Sequence, residues 1–419
     1  MAQPALDYFE RRMIAIKAES TEGTDAAPST SLNTFDLLNG SSGTEFDKVE
    51  RPRDRSYFTG EAFIVANKRA FVEGDFELCP PVTPGDSSTP GNAPCEVVLF
   101  PSGMARTKSS TNGTTIYAPI SASIPTVTAD FYHAGTLLEI VGARGNISSL
   151  MMEVGGRFTG KVKIQGVHAD VDESALPTDG DYSTFLAPSV ITYANSVMRA
   201  YGSTAANTLP VFLWGKMLSV DFNNELQTVQ YTQKRISGIS DRNGSFTAKF
   251  ARTAKADFDI HALRDAGTQV IFDFTVVDDD GTSYSRLKVR GQIEQIKDVD
   301  QDGYRFYEVT GPCIASDSGG DELAVEFGLD SLRVIGDLPD AAAGAYSQQL
   351  SLQGVYGSAV TWSVLSGSLP AGTSINATTG VVSGTATAGS TTCVIRATTT
   401  DVTGAAITAD SSSQAIVIT

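Results

Sequence analysis

Short runs in which apolar and polar residues alternate, broken by Gly, Pro, Asn or Asp, recur along almost the whole of this chain. A period of two places successive side chains on opposite faces of an extended strand. Turn residues between the runs leave no length for long helices. The clearest runs are 58–78, 148–166, 243–253, 268–278, 285–300 and 304–311. The pattern predicts an all-β chain with minor α. Helical spacing occurs at LDYFERRM, where Leu6, Phe9 and Met13 share a face. It recurs at DFDIHALRDAG, with Asp257 as N-cap, a stripe of Phe258, Ile260 and Ala262, and Gly267 past the end. SVITYANSVMRAYG (189–202) fits a helix or a strand. EGTDAAPSTSLNTFDLL, from Glu22, has the polarity of a surface loop.

The charge content collapses near Gly336. From 336 to 419 the only charged residues are Asp337, Asp340, Arg396, Asp401 and Asp410, whereas residues 1–335 carry a net −14 of the chain's −17. So abrupt a change marks a boundary between domains 1–335 and 336–419. In the second, YSQQLSL, AVTWSVL, GVVSGTA, TTCVIRATTT and QAIVIT alternate between glycine turns, as in a small β-sandwich. Trp362 is the expected core anchor, with Tyr346, Leu350, Ile375, Val381 and one of the adjacent Val394 and Ile395 as neighbours. Gly380 is expected at positive φ and Gly384 at a close strand approach.

An acidic balance of 48 Asp and Glu against 31 Lys and Arg argues against wrapping DNA, RNA or an anionic membrane, all of which need cations to displace counterions. No apolar run reaches the roughly 20 residues of a membrane helix, and the first twenty residues are too interrupted by charge for a secretory signal. Three histidines (His133, His168, His261), far apart, and no HExxH, GxSxG or GxxxxGK[ST] motif make catalysis unexpected; no catalytic, cofactor or metal residue is assigned. Cys79 and Cys95 flank a Pro/Gly/Ser-rich loop and are expected as thiols in a reducing compartment, a disulfide being the lesser alternative. Cys313 and Cys393 read as small buried hydrophobes. Asp298-Val-Asp300-Gln-Asp302-Gly303 matches the first half of a calcium loop, but Arg305 and Val309 occupy its eighth and twelfth positions. A hairpin with an Asp-Gly turn is the favoured reading, as it is at Asp278–Gly281.

Two resemblances follow from longer strings. Leu338–Pro339, Tyr346, Trp362–Ser363, Leu369–Gly372 and Thr379–Thr385 together resemble the bacterial Ig-like module. Residues 10–328 resemble the major tail tube protein of long, non-contractile-tailed bacteriophages (siphophages). The strings concerned are IKAESTEGTDAAPSTS (Ile16–Ser31), GARGNISSLMMEVGGRFTGKVKIQG (Gly142–Gly166, with Phe158) and SGGDELAVEFG (Ser318–Gly328). The resemblance implies a tail-tube β-sandwich or barrel with a flanking helix and long loops, followed by an Ig-like β-sandwich. It implies a structural virion protein, assembled in the host cytoplasm, that partners itself in stacked rings, usually of six. Further implied partners are a tape-measure protein in the lumen, tail terminator and distal tail proteins, and double-stranded DNA passing without specific binding during ejection. The Ig-like domain is expected on the tail exterior, with weak contact to host-surface glycans as one role. The long polar loops 22–50 and 80–94 are the expected ring-to-ring contacts, and part of the negative charge is expected on the lumen wall, where it repels DNA. Arg144 and Arg157, both in the quoted strings, are expected either to pair with acids across subunits or to be solvated. The competing readings are a secreted adhesin or carbohydrate-binding protein, or another virion component such as a decoration or tail-terminator protein.

Overall fold

The computed structural model describes residues 11–50, 63–81, 92–109, 114–185, 188–202, 211–231, 234–277, 283–329, 333–353, 358–400, 406–411 and 413–419. Its helices, among the described residues, are short, Glu96–Leu99 and Ile260–Asp265; all other regular structure is strand. The expected helix over 6–13 lies mostly outside the described residues, and Met13 itself belongs to strand Arg12–Ala18. The 260–265 helix forms as expected, but Asp259 rather than Asp257 caps it, its side chain accepting from Ala262 N at 3.0 Å. Its buried side packs Phe258, Ile260 and Leu263, while Ala262 faces solvent. In the ambiguous 189–202 stretch, Ser196–Gly202 is a strand.

Two antiparallel sheets enclose the main core. The spine of the larger is the 18-residue strand Thr136–Glu153. Along one edge it pairs first with Val127–His133 and then with Gly215–Asp221; along the other it pairs with Thr159–Glu173. Beyond these lie Arg12–Ala18, Ser245–Ala251, Tyr304–Pro312 and Gln295–Gln301 on one side, and Phe63–Glu77 with Leu38–Glu50 on the other. The second sheet runs Val211–Leu213, Ser196–Gly202, Gln269–Val277, Ser283–Gln292, Leu323–Leu329, Thr114–Pro119, Met104–Ser109. Alternation decides what faces inward: Phe246, Ala248 and Phe250 from one sheet meet Val270, Phe272 and Phe274 from the other, with Phe250 and Phe272 ring centres 6.0 Å apart.

The Asp298–Gly303 string is a hairpin. Gln301 pairs with Tyr304 across a two-residue loop in which Asp302 and Gly303 both have positive φ (+55° and +85°), the mirror-image turn that matches strand twist. Asp298 takes both its hydrogen bonds from Arg305, at 2.7 and 2.8 Å. Asp278–Gly281 lies outside the described residues. Cys79, Cys95 and Cys393 are buried free thiols and Cys313 is a partly buried one; burial pushes Cys313 up to about 12.

The C-terminal residues form a separate core around Trp362, Tyr346, Leu350, Val382, Ile395 and Ile416. Ile395, not Val394, points inward, and Val382 is buried where Val381 was the expected core residue. Strand Arg333–Ile335 pairs with Ser351–Gln353, so its hydrogen bonds belong to this half. Gly380 has φ +72°, and a Cβ there would lie 2.7 Å from Trp362 Cε2; at Gly384 it would lie 2.2 Å from Gly372 O. Gly380→Ala is therefore expected to destabilise this domain by about 1–3 kcal/mol, read as a lower urea midpoint of its unfolding. An unchanged midpoint would show that the turn relaxes freely.

Candidate functional site

Three features stand out from a self-contained sandwich: a projecting arm, a clamp that orders the loop after the first strand, and a row of carboxylates.

The arm corrects the expectation that 22–50 is loop throughout. Its second half, Leu38–Glu50, is a strand paired with Phe63–Glu77. The sequence LNGSSGTEFDKVE hides it because neither face alternates cleanly, and neither face is buried. Strand Thr159–Glu173 supports Phe63–Glu77 only from Arg69 onward, so residues 63–68 and their partners extend past the body. Arg69 bridges Glu45 (2.8 Å) and Asp47 (3.0 Å) across the ribbon. Beyond it apolar side chains are left half-exposed on both faces: Phe46, Phe63 and Val65 on one, with Phe46 and Phe63 stacked at 5.8 Å and Lys48 Nζ 4.9 Å from the Phe63 ring, and Val49 and Ile64 on the other. Among the described residues, Leu38–Glu50 pairs along one edge only. A free edge beside exposed aromatics is an aggregation hazard unless another chain covers it.

A second hairpin, Asn224–Tyr231 with Lys234–Arg242, runs beside the arm. Asn67 Nδ2 donates to Thr228 O and Arg235 Nη1 to Lys68 O, both at 3.3 Å. Its base is fixed by Asn224 Nδ2 donating to Ser102 O and Gly145 O, and by Arg242, whose Nε donates to Asn224 Oδ1 at 2.9 Å and Nη2 to Gly103 O at 3.0 Å. Sequence reading missed this hairpin; its alternation is polar on both faces.

The clamp joins two of the strings singled out in the sequence. Glu19 accepts from Gly23 N, Thr126 Oγ1, Thr128 Oγ1 and Gly142 N, all within 3.0 Å. Gly142 (φ +60°) sits in a bulge of the spine strand. Arg144, largely buried, donates to Glu22 at 2.8 Å, to Ile124 O at 3.2 Å and to Ser237 O. Arg144 is thus a staple within one chain rather than a solvated cation, and Arg157 likewise pairs with Glu77 at 2.7 Å. The 80–94 loop lies mostly outside the described residues.

The carboxylate row crosses three neighbouring strands. Asp130 is directly opposite Glu139, and Glu139 opposite Asp170, so all three share one face; Asp172 follows two residues on. Directly opposed like charges destabilise a sheet. Asp130 is 9% exposed, and its Oδ1 has no hydrogen-bond partner among the described residues. Burial first, then Glu139 and Asp25, push its carboxyl up to about 7. Glu139 is raised by burial and by Asp25, Asp170 and Asp172. The three histidines lie apart from one another, and among the described residues no group of His, Cys, Asp and Glu has the arrangement to hold a metal ion.

The family comparisons bear on these surfaces. A family model described as phage tail tube protein matches residues 11–327, and one described as Putative Ig domain matches residues 334–418. No curated protein matches the chain. Among solved structures, the protocadherin GammaB4 extracellular domain aligns at 10% identity over 96% of this chain and 64% of its own length, with a TM-score of 0.17. Protocadherin Gamma B2 cadherin domains 3–6 align at 9% identity over 99% and 80%, with a TM-score of 0.16. Scores that low carry no argument about fold. The tail tube match spans the clamp, the arm, the second hairpin and the carboxylate row: this chain belongs to the phage tail tube protein family and carries an Ig-like domain at its C-terminal side.

Proposed function

We propose that the chain is the major tail tube subunit of a siphophage, with a tube domain followed by an Ig-like domain that starts at strand Arg333–Ile335, slightly before the compositional boundary at 336. Copies close into rings, usually of six, and the rings stack into the conduit that DNA crosses during ejection. The observation that carries this reading is the arm: a ribbon extending past its supporting strand, with an edge unpaired among the described residues and half-exposed apolar side chains. Such a ribbon is marginal alone and stable once a neighbouring copy covers it. The exposed Asp170 and Asp172, beside Glu139, make this sheet face the candidate lumen wall. Acidic walls repel DNA within a Debye length of about 8–10 Å. The role is mechanical rather than enzymatic. A tape-measure protein fills the lumen before ejection, and terminator and distal tail proteins close the ends. The Ig-like domain sits outside, where many weak glycan contacts would act together.

Electron microscopy of the purified chain at rising concentration tests the proposal. Stacked rings or tubes are expected, with an acidic inner wall. Phe46→Ser combined with Phe63→Ser is expected to abolish stacking while the melting temperature of the monomer stays close to that of the unaltered chain, since both rings are already half-exposed. A chain that remains a single globule at every concentration, or an inner wall lined with Lys and Arg, would defeat it.

A further inference from the structure

At the end of the subunit away from the arm tip, the chain crosses from one sheet to the other between Leu213 and Gly215. The crossing residue is Trp214, whose side chain is left 85% exposed; Tyr193, on a neighbouring turn, is 88% exposed. Between them opens a cavity of about 440 Å³, lined also by Val154, Phe212 and Phe306. Both aromatics sit on fixed backbone. Trp214 O accepts from Ala251 N at 2.9 Å, and the Tyr193 turn is clasped by Asn195 Oδ1, which accepts from Thr192 N at 2.7 Å. Gly215 keeps the floor open, because a Cβ there would fall 2.4 Å from Met198 Sδ. The polar group at the rim, Lys216, is already committed to Val154 O at 2.7 Å. The groove thus offers rigid aromatic surface and few polar groups, a composition suited to apolar side chains of another polypeptide.

We infer that this groove receives the Phe46/Phe63 face of the arm of a second copy. The inference rests on the tail tube reading for the fact of polymerisation and adds the receiving surface. Three observations select this occupant. The arm carries a half-exposed aromatic pair, Phe46 and Phe63, whose rings stack on one another. A volume of this size, within the roughly 300–1,000 Å³ of sites that enclose compact apolar groups, accommodates a pair of side chains such as Phe63 and Val65, which share one face of the arm. The third is position. Val154 and Lys216 flank the turn before Thr159, which pairs with Glu77. Glu77 closes the 15-residue strand that opens at Phe63, so roughly 46 Å of extended chain separates groove from arm tip. A contact joining different surfaces at opposite ends is heterologous, and repeated with all copies in one orientation it does not close on a pair. Each added copy is displaced along the strand direction, and the free groove and free arm stay available at the two ends, which is the requirement for a filament.

Trp214→Ser is expected to raise the concentration needed for tubes on the order of tenfold or more, and Tyr193→Ser by less, with monomer melting unchanged. A chain carrying Val65→Cys mixed with one carrying Lys216→Cys is expected to form a 65–216 disulfide on oxidation, which neither yields alone. Tubes formed by Trp214→Ser at the wild-type concentration, or disulfides only between like positions, would overturn the groove contact and leave the tail tube reading standing. A wild-type chain that forms no tubes would overturn both.

Discussion

Asp273→Asn is expected to destabilise the chain by about 3–5 kcal/mol, the cost of leaving buried charge uncompensated. Asp273 is buried on the second sheet within a row built by strand register: Arg199 on one neighbouring strand, Thr275 two residues along its own, Arg286 on the next strand and Glu326 on the one after. Arg199 Nη2 lies 3.1 Å from Asp273 Oδ2 and Arg286 Nε 3.5 Å from the same oxygen. Thr275 Oγ1 donates to Asp273 Oδ1 at 2.7 Å, and Arg286 Nη1 reaches Glu326 Oε2 at 3.3 Å. Tyr284 donates to the other Glu326 oxygen. Burial acts to raise the Asp273 carboxyl, but Arg199 and Arg286 outweigh it and hold it below the usual carboxylate range. Two arginines and two acids balance; with Asn at 273 they do not. Because this carboxyl is lowered in the fold, its contribution is present above the unfolded value of about 4 and is lost as pH falls through the folded one. Urea unfolding at pH 7 measures the loss, and the double change Arg199→Met with Asp273→Asn should recover part of it. A loss below about 1 kcal/mol would show that Glu326 alone neutralises both arginines.

Asp130→Asn is expected to act in the opposite direction. Asp130 ionises near pH 7 in the fold and near 4 when unfolded. Between those values the unfolded chain has released a proton that the folded chain still holds, so stability declines as pH rises through the window. The decline approaches about 4 kcal/mol above pH 7, at 1.36 kcal/mol per pH unit. Asparagine has the same shape and no charge to lose. The variant should match the wild type near pH 4 and exceed it by about 2–4 kcal/mol at pH 8. Parallel stability curves for the two proteins would show that Asp130 is solvated or paired at high pH.

Much of the body was legible from alternation. The runs ending in Phe246–Phe250, Phe272–Val276 and Tyr304–Gly311 are strands, and the Asp302–Gly303 turn, the Trp362 core and the glycine at 380 follow from local chemistry alone. These succeed because one face of each strand is buried and the turns demand particular backbone angles. The arm carries no strand signal because Leu38–Glu50 buries neither face in its own subunit. The role of Arg144 is not legible locally because Glu22 and Ser237, its partners, are far away in sequence.

The order of residues along the chain thus determined the fold class, the two compositional halves and the family, since these depend on periodicity and on motifs read locally. Tertiary structure decided which carboxylates oppose one another, which arginines are buried, and which aromatics are left in solvent at each end. Those are matters of register between strands far apart in sequence, as between Thr114 and Gly328. A period of two fixes the face a side chain takes, but not the strand that will lie beside it.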